Sequence, residues 1–342
     1  MTDELDRQIV AALIRNGRAP YRLIAEVLGQ QERTVSRRAN KMLASGLLRV
    51  QSFPSPTALA RVDLYMLRVD VEPALMDAVA SWLAGREQTH WISSLAGSSS
   101  CAVEVFLPQE QVNEFLYEQL ARVEGVRDFS LNPVFEYYRT VSGWRPDILS
   151  TEQYEQLSPA EDPRFVTGYS SSAPAVLDDS QRKLITLLRD NGRLTIEEMA
   201  SGLGVSKTTA SRKIESLIND GVLFVRAVLD PADIGYPVEG LVTVEVDISD
   251  VDRVGRYLAD LPSTRWAVNV AGRLQIQSAV RNLAELYTTV REISALKGVN
   301  SVDLSLFTKI YKRSTIAYQQ GKLPALQASG DTRFVSVLGP RQ

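Results

Sequence analysis

Residues 16–46 read NGRAPYRLIAEVLGQQERTVSRRANKMLASG, and residues 191–221 read NGRLTIEEMASGLGVSKTTASRKIESLINDG. The two stretches hold one register, an offset of 175 from Gly17 to Gly192. Asn16-Gly17-Arg18 meets Asn191-Gly192-Arg193, and Leu28-Gly29 meets Leu203-Gly204. Thr34, Ser36 and Arg37 meet Thr209, Ser211 and Arg212, and Gly46 meets Gly221. Beyond them the register continues through Leu13 and Leu188, Pro56 and Pro231, Trp91 and Trp266, and Ala96-Gly97 and Ala271-Gly272. After a two-residue deletion in the second copy, Gly125-Val126 meets Gly298-Val299 and Tyr138 meets Tyr311. Self-similarity at a fixed offset marks a repeated structural unit. Here the unit is roughly 140 residues long, at the scale expected of one domain or two small ones.

Each quoted stretch reads as two short helices after a preceding one. Leu5, Ile9, Ala12 and Leu13 have helical spacing, which predicts a first helix over about 2–15. Asn16-Gly17 ends it, since both residues tolerate a left-handed backbone. Pro20 suits the opening turn of a second helix that carries Leu23, Ile24, Val27 and Leu28 on one face. Gly29 turns the chain into a third helix over about 32–45, with Val35, Ala39, Met42 and Leu43 inward. Gly46 ends that helix and 47–53 reads as a strand. The second copy repeats the plan with helices over about 179–190, 195–203 and 207–219.

A trihelical unit with a glycine turn before a basic third helix is the arrangement by which proteins enter the DNA major groove. The outward residues of the first copy are Arg33, Thr34, Ser36, Arg37, Arg38 and Lys41. In the second copy they are Lys207, Thr208, Thr209, Ser211, Arg212 and Lys213. Arginine offers bidentate bonds to guanine or phosphate, and short Thr and Ser let the backbone approach. The competing reading is a plain helical bundle with a solvated charged face. Two copies with the same Thr-x-Ser-Arg face favour double-stranded DNA as a partner. Net charge is −3, but its distribution is uneven. Residues 1–53 carry nine Lys/Arg against five acids, whereas 178–229 carry eight against seven.

The second half of each unit reads strand, helix, strand, strand, helix, strand. The predicted elements are 62–71, 73–83, 89–95, 101–107, 109–122 and 126–138, then 241–248, 251–261, 265–271, 274–280, 283–295 and 299–311. That order is ferredoxin-like, and it leaves one sheet face without helices. Burying that face against another copy drives association. The fold class expected is therefore α+β: two winged or trihelical helix-turn-helix domains, each followed by a βαββαβ domain. The expected boundaries are 1–53 and 60–140, a linker over 141–177, then 178–229 and 237–313, and a flexible tail over 321–342. The linker contains Ser170-Ser171-Ser172-Ala173-Pro174, and a short helix fits 151–157.

Other chemistries lack their residues. One cysteine, Cys101, permits no intrachain disulfide, and with the single histidine, His90, it cannot make a usual N/S zinc site. His90 has no Ser/Asp or Cys constellation around it in the sequence, so no catalytic residue and no cofactor is expected. No phosphate-cradling GxxxxGK loop occurs. No apolar run reaches the ~18–20 residues of a membrane span, and the acidic start lacks a secretory plan. The expected location is cytoplasmic. Trp91 and Trp266 are expected in a core or interface, and Cys101 as a small buried hydrophobe.

The Asn-Gly-Arg after helix one, the third helix ended by glycine and the following βαββαβ unit resemble the leucine-responsive/AsnC (feast/famine) regulators. The resemblance covers about 3–140 and 178–313. It implies DNA binding by dimers or higher homo-oligomers and response to a small molecule, an amino acid or related metabolite. It places effector contacts at the turns between the second and third sandwich strands. Those turns hold Gly97, Ser98, Ser99 and Ser100 in one copy and Gly272, Arg273 and Gln275 in the other. The family often sets an aromatic and then an Asp two and three residues after that glycine; here Ser99-Ser100 and Leu274-Gln275 stand there. Fusion of two units further implies a pseudo-dimer within one chain. Two other readings compete: a haem-precursor decarboxylase-like protein, because some relatives with a similar sandwich do that chemistry, and an architectural DNA-associated protein.

Overall fold

A computed structural model describes residues 2–157, 173–319 and 323. Much of the expected linker, including Ser170-Ser171-Ser172, and all of the expected tail but residue 323 lie outside the described residues. The first head comprises α1 (Glu4–Arg15), α2 (Tyr21–Leu28) and α3 (Glu32–Ala44), followed by β1 (Arg49–Pro54). Ile9, Leu13, Ile24, Val35 and Ala39 are fully buried between these helices, as their periodicity dictates. A short α4 (Pro56–Leu59) leads into the first sandwich unit: β2 (Asp63–Val71), α5 (Met76–Ala84), β3 (Thr89–Leu95), β4 (Ser100–Leu107), an irregular helix over 109–122 and β5 (Val126–Arg139). The helix expected over 109–122 is broken by a π-helical stretch at Glu114–Gln119 flanked by 3-10 turns.

The connecting segment over 141–157 is folded. Trp144 is 1% exposed in the core of the first head, stacked edge-on against Tyr236. Its α6 (Thr151–Gln156) starts with a capping box from Ser150 and Gln153, and Gln153 Nε2 donates to the Val27 carbonyl of α2. The second copy follows as α7 (Asp179–Asp190), α8 (Ile196–Leu203), α9 (Lys207–Asn219) and β6 (Leu223–Val228). Its sandwich unit is β7 (Val238–Val246), α10 (Val251–Asp260), β8 (Thr264–Val270), β9 (Arg273–Val280), α11 (Leu283–Ser294) and β10 (Val299–Arg313), with a short β11 (Ile316–Ala317).

Two devices join the copies about a pseudo-two-fold axis. The first joins the heads. The strand after each third helix makes no hairpin of its own; β1 and β6 pair with each other, antiparallel, from Arg49 opposite Val228 to Pro54 opposite Leu223. Over this ribbon the Asn-Gly-Arg motifs reach across reciprocally. Arg18 donates to the carbonyls of Gly192 (2.6 Å) and Leu194 (3.0 Å), and Arg193 to those of Gly17 (2.7 Å) and Ala19 (3.0 Å). Gly192 is required by space: a Cβ there would stand 2.9 Å from the backbone of Val50 and Gln51. Its amide donates to the Val50 carbonyl.

The second device joins the sandwiches. Each long last strand serves two sheets. β5 pairs with β2 over Val126–Pro133 and then with β8 over Val134–Arg139. β10 pairs with β7 over Val299–Leu306 and then with β3 over Phe307–Lys312. The strands therefore run β3-β4-β2-β5-β8-β9-β7-β10 and return to β3, which leaves no free edge among them. Along β2 the odd residues Leu67, Val69 and Val71 face the helices, while Leu64 and Met66 face the opposite sheet. The helix-free faces thus bury each other within one chain. At their centre the repeat-related Trp91 and Trp266 meet edge to face, 6.0 Å apart at 78°.

Two stability measurements test this account. Trp91→Ala should cost about 3–5 kcal/mol in urea unfolding, the range for truncating a buried aromatic, and Trp266→Ala a similar amount. Arg18→Ala removes two charge-assisted bonds and should cost about 1.5–3 kcal/mol, with Arg193→Ala alike because the contacts are reciprocal. Loss of less than half a kcal/mol in either arginine variant would show that the ribbon alone holds the heads.

Candidate nucleic-acid interface

The face presented by each head depends on how its third helix is held. α1 begins with a capping box from Asp3 and Asp6, and α7 with one from Asp178 and Gln181. Those caps draw in a cation from the third helix. Arg38 Nη1 lies 2.6 Å from Asp3 and 2.8 Å from Asp6, and the repeat-related Lys213 Nζ lies 2.8 Å from Asp178. Their side chains are only 26% and 22% exposed. Lys213, Ser180 and the helix amides hold the Asp178 carboxyl well below the usual carboxylate range. Arg38 and Lys213, expected to face outward toward a groove, instead bind the first helix of their own head. The reason is local: an N-cap carboxylate at the start of a helix is the nearest compensating charge.

The remaining cations of α3 do face solvent. Arg33, Arg37 and Lys41 are exposed at successive four-residue steps, so they form one stripe along the helix. Thr34 is half-buried, and the Ser36 hydroxyl donates back to the Arg33 carbonyl at 3.2 Å. On α9 the same stripe is Thr208, Arg212 and Ser216, all exposed. Lys207 is paired with Glu197 at 3.1 Å, and Ser211 donates to Glu215 at 2.6 Å. Thr209 is drawn to the Ser206 N-cap through both its amide and its hydroxyl. A shallow groove of about 510 Å³ runs between α7 and α9 beside Gln181, Arg212 and Ser216.

The residues expected to contact an effector sit at two separate junctions between the sheets. Gly97 and Gly272 have φ of +85° and +87°, which explains glycine at both turns. Beside Gly97, the Ala96 amide donates to the Leu306 carbonyl of β10; beside Gly272, the Ala271 amide donates to the Pro133 carbonyl of β5. Ser98 accepts from Arg68 at 2.7 Å and shares a bond with Ser100 at 2.8 Å, and the Ser99 carbonyl accepts from Val71. In the other turn Arg273 approaches Glu245 at 3.6 Å, and Gln275 Nε2 donates to Thr243 at 3.4 Å.

Two buried polar clusters escaped the sequence reading. Glu239 accepts from Arg313 (2.7 Å), Gln277 (2.7 Å) and Arg265 (3.1 Å), tying β7, β8, β9 and β10 together. Beneath the ribbon, Tyr137 donates to Glu104 and the Arg226 guanidinium lies over the Phe53 ring at 4.4 Å. His90 packs on Phe106 nearby, and burial together with Lys312 and Arg226 pushes its imidazole down to about 3, so it stays neutral. These residues come from strands far apart in sequence, and no spacing could have announced them. Cys101 is buried against Met76, and burial pushes its thiol up to about 12. Among the described residues no group of three His, Cys, Asp or Glu side chains could hold a metal, and no helix is long and apolar enough to cross a membrane.

Comparison with known proteins agrees with this geometry. Residues 3–43 match the AsnC-type helix-turn-helix domain, and 177–223 a winged helix-turn-helix DNA-binding domain. An uncharacterized helix-turn-helix-type transcriptional regulator of Pyrococcus furiosus is 32% identical over 129 residues, which is 37% of this chain and 87% of that protein. The transcriptional regulator FL11 of the same organism is 23% identical, over 41% of this chain and 95% of its own length. Nearly a whole relative thus fits within about two-fifths of this chain, as a duplicated unit requires. Over the full chain the fold is like that of the siroheme decarboxylase NirDL, with a TM-score of 0.60, 14% identity, and 98% of this chain and 97% of that one covered. The single-unit match in sequence and the doubled heads lead to one assignment: this chain belongs to the leucine-responsive/AsnC family of helix-turn-helix transcriptional regulators, in a tandemly duplicated form.

Proposed function

We propose that the chain acts in the cytoplasm by laying α3 and α9 against double-stranded DNA, and that its sandwich units carry assembly and the sensing of a small metabolite. The observation that carries the reading is the exposed Arg33, Arg37 and Lys41 stripe on a helix whose other cation, Arg38, is engaged within the head. Cations free of internal partners are the ones that can neutralise phosphates and release counterions. The effector contacts are assigned to Ser98, Ser99 and Ser100 beside Gly97, and to Arg273 and Gln275 beside Gly272. Both turns lie at seams between the two copies, where a ligand would be felt by both halves. Exposed Leu283 and Tyr287 on α11 support pairing of chains into a dimer or higher homo-oligomer.

The likeness of the whole chain to the siroheme decarboxylase favours one other reading, a tetrapyrrole-binding protein. Neutral His90, packed on Phe106 beneath the ribbon, argues against a proton-transfer role in this chain. Titration with an iron tetrapyrrole should leave the Soret band unchanged, whereas a saturable shift would favour that second reading.

DNA binding is tested by fluorescence anisotropy with a duplex from the gene's own upstream region. It should bind in preference to scrambled DNA, and the plot of log affinity against log salt should lose about 0.9 of slope in Arg37→Ala. Arg38→Ala should instead lower the melting temperature of the protein, because its partners are Asp3 and Asp6. Equal affinity for scrambled DNA would sink sequence-specific regulation.

A further inference from the structure

We propose that the two heads grip DNA unequally, so that the chain reads a non-palindromic target in one fixed orientation, anchored by the first head. This rests on the DNA-binding reading above. In a dimer of single units the two recognition helices are identical, and the matching target has two equal half-sites. In this chain the heads are locked as an intramolecular pair by β1, β6 and the reciprocal arginines, yet each has its own sequence.

The divergence falls on the exposed face. Where α3 presents Arg33, Arg37 and Lys41, α9 presents Thr208, Arg212 and Ser216 at the same repeat positions. Three free cations face one. The flanks differ as well, and not all in one direction: Arg22 of α2 is itself paired with Glu26 at 2.9 Å, and exposed Glu32 of α3 stands where α9 has Lys207. Arg22 on α2 corresponds to Glu197 on α8, which holds Lys207 at 3.1 Å, and Glu215 and Asp220 accept from Ser211 and Ser216 on α9. The residues that hold each helix in place are kept: Arg38 and Lys213 bind their caps in both heads. The second head therefore remains a positioned helix while offering less charge to phosphate. Its outward Thr208, Thr209 and Arg212 leave it a short polar face for a distinct half-site.

The test uses the full chain and an operator fragment located by footprinting. Affinity is measured across a salt series for the wild type, for Arg33→Ala/Arg37→Ala/Lys41→Ala, and for Thr208→Ala/Arg212→Ala/Ser216→Ala. The first triple variant should lose about 2.7 of salt slope and the second about 0.9, following roughly 0.9 per phosphate contact. Affinity near 0.1 M salt should fall on the order of a hundredfold in the first and several-fold in the second. All six side chains are exposed, and a thermal melt checks that both variants fold. Equal losses of slope, or footprints with two equally protected inverted half-sites, would overturn the inference while leaving DNA binding intact. A wild-type chain that shows no salt-dependent binding would instead overturn the DNA-binding reading itself.

Discussion

The antiparallel pairing of β1 with β6, clasped by Arg18 and Arg193, is the contact on which the arrangement of the whole molecule depends. Each arginine satisfies two carbonyls in or just after the other copy's Asn-Gly-Arg turn, in the segment past the helix end where the backbone acceptors have no ladder partner. Because the bonds are reciprocal, they specify a two-fold relation between heads that the rest of the chain must follow. The sandwich units obey the same axis through Trp91 and Trp266 and through the two long strands that cross from one sheet to the other.

Putting both halves in one chain changes what evolution can do with that axis. The pairing is intramolecular, so association no longer depends on protein concentration. A substitution on one head also no longer appears automatically on its mate. The interface residues have stayed alike: Gly17 and Gly192, Arg18 and Arg193, Trp91 and Trp266. The outward ones differ, Arg33 against Thr208 and Lys41 against Ser216. Packing constrains both partners of a contact at once, whereas a solvent-facing side chain is limited only by what it binds.

The third helices also show how a cation's role is set by its neighbours rather than by its type. Arg37 and Arg38 are adjacent in sequence, yet one points to solvent and the other closes onto the Asp3 and Asp6 carboxylates. A step of one residue turns a helical side chain by about 100°. That single rotation separates a solvent-facing residue from a brace of the fold.

The sequence by itself determined the repeat, the trihelical heads and the strand-helix order of each sandwich, because these follow from local periodicity, glycine punctuation and register at one offset. It also placed Trp91 and Trp266 in a core or interface, and Arg33, Thr34, Ser36, Arg37, Arg38 and Lys41 together on the outward side of the third helix. Only the tertiary structure decided that the strand after each head pairs with its repeat mate, that Arg38 and Lys213 face inward, and that Glu239 gathers Arg265, Gln277 and Arg313. Those contacts join residues far apart along the chain, and no local pattern encodes which distant carboxylate or carbonyl a long side chain will meet. The segment over 141–157 makes the same point: it lies in the stretch that reads as a connection, but Trp144 and Tyr154 find an apolar cleft on the first head that exists only once α1, α2 and the start of the second sandwich have come together.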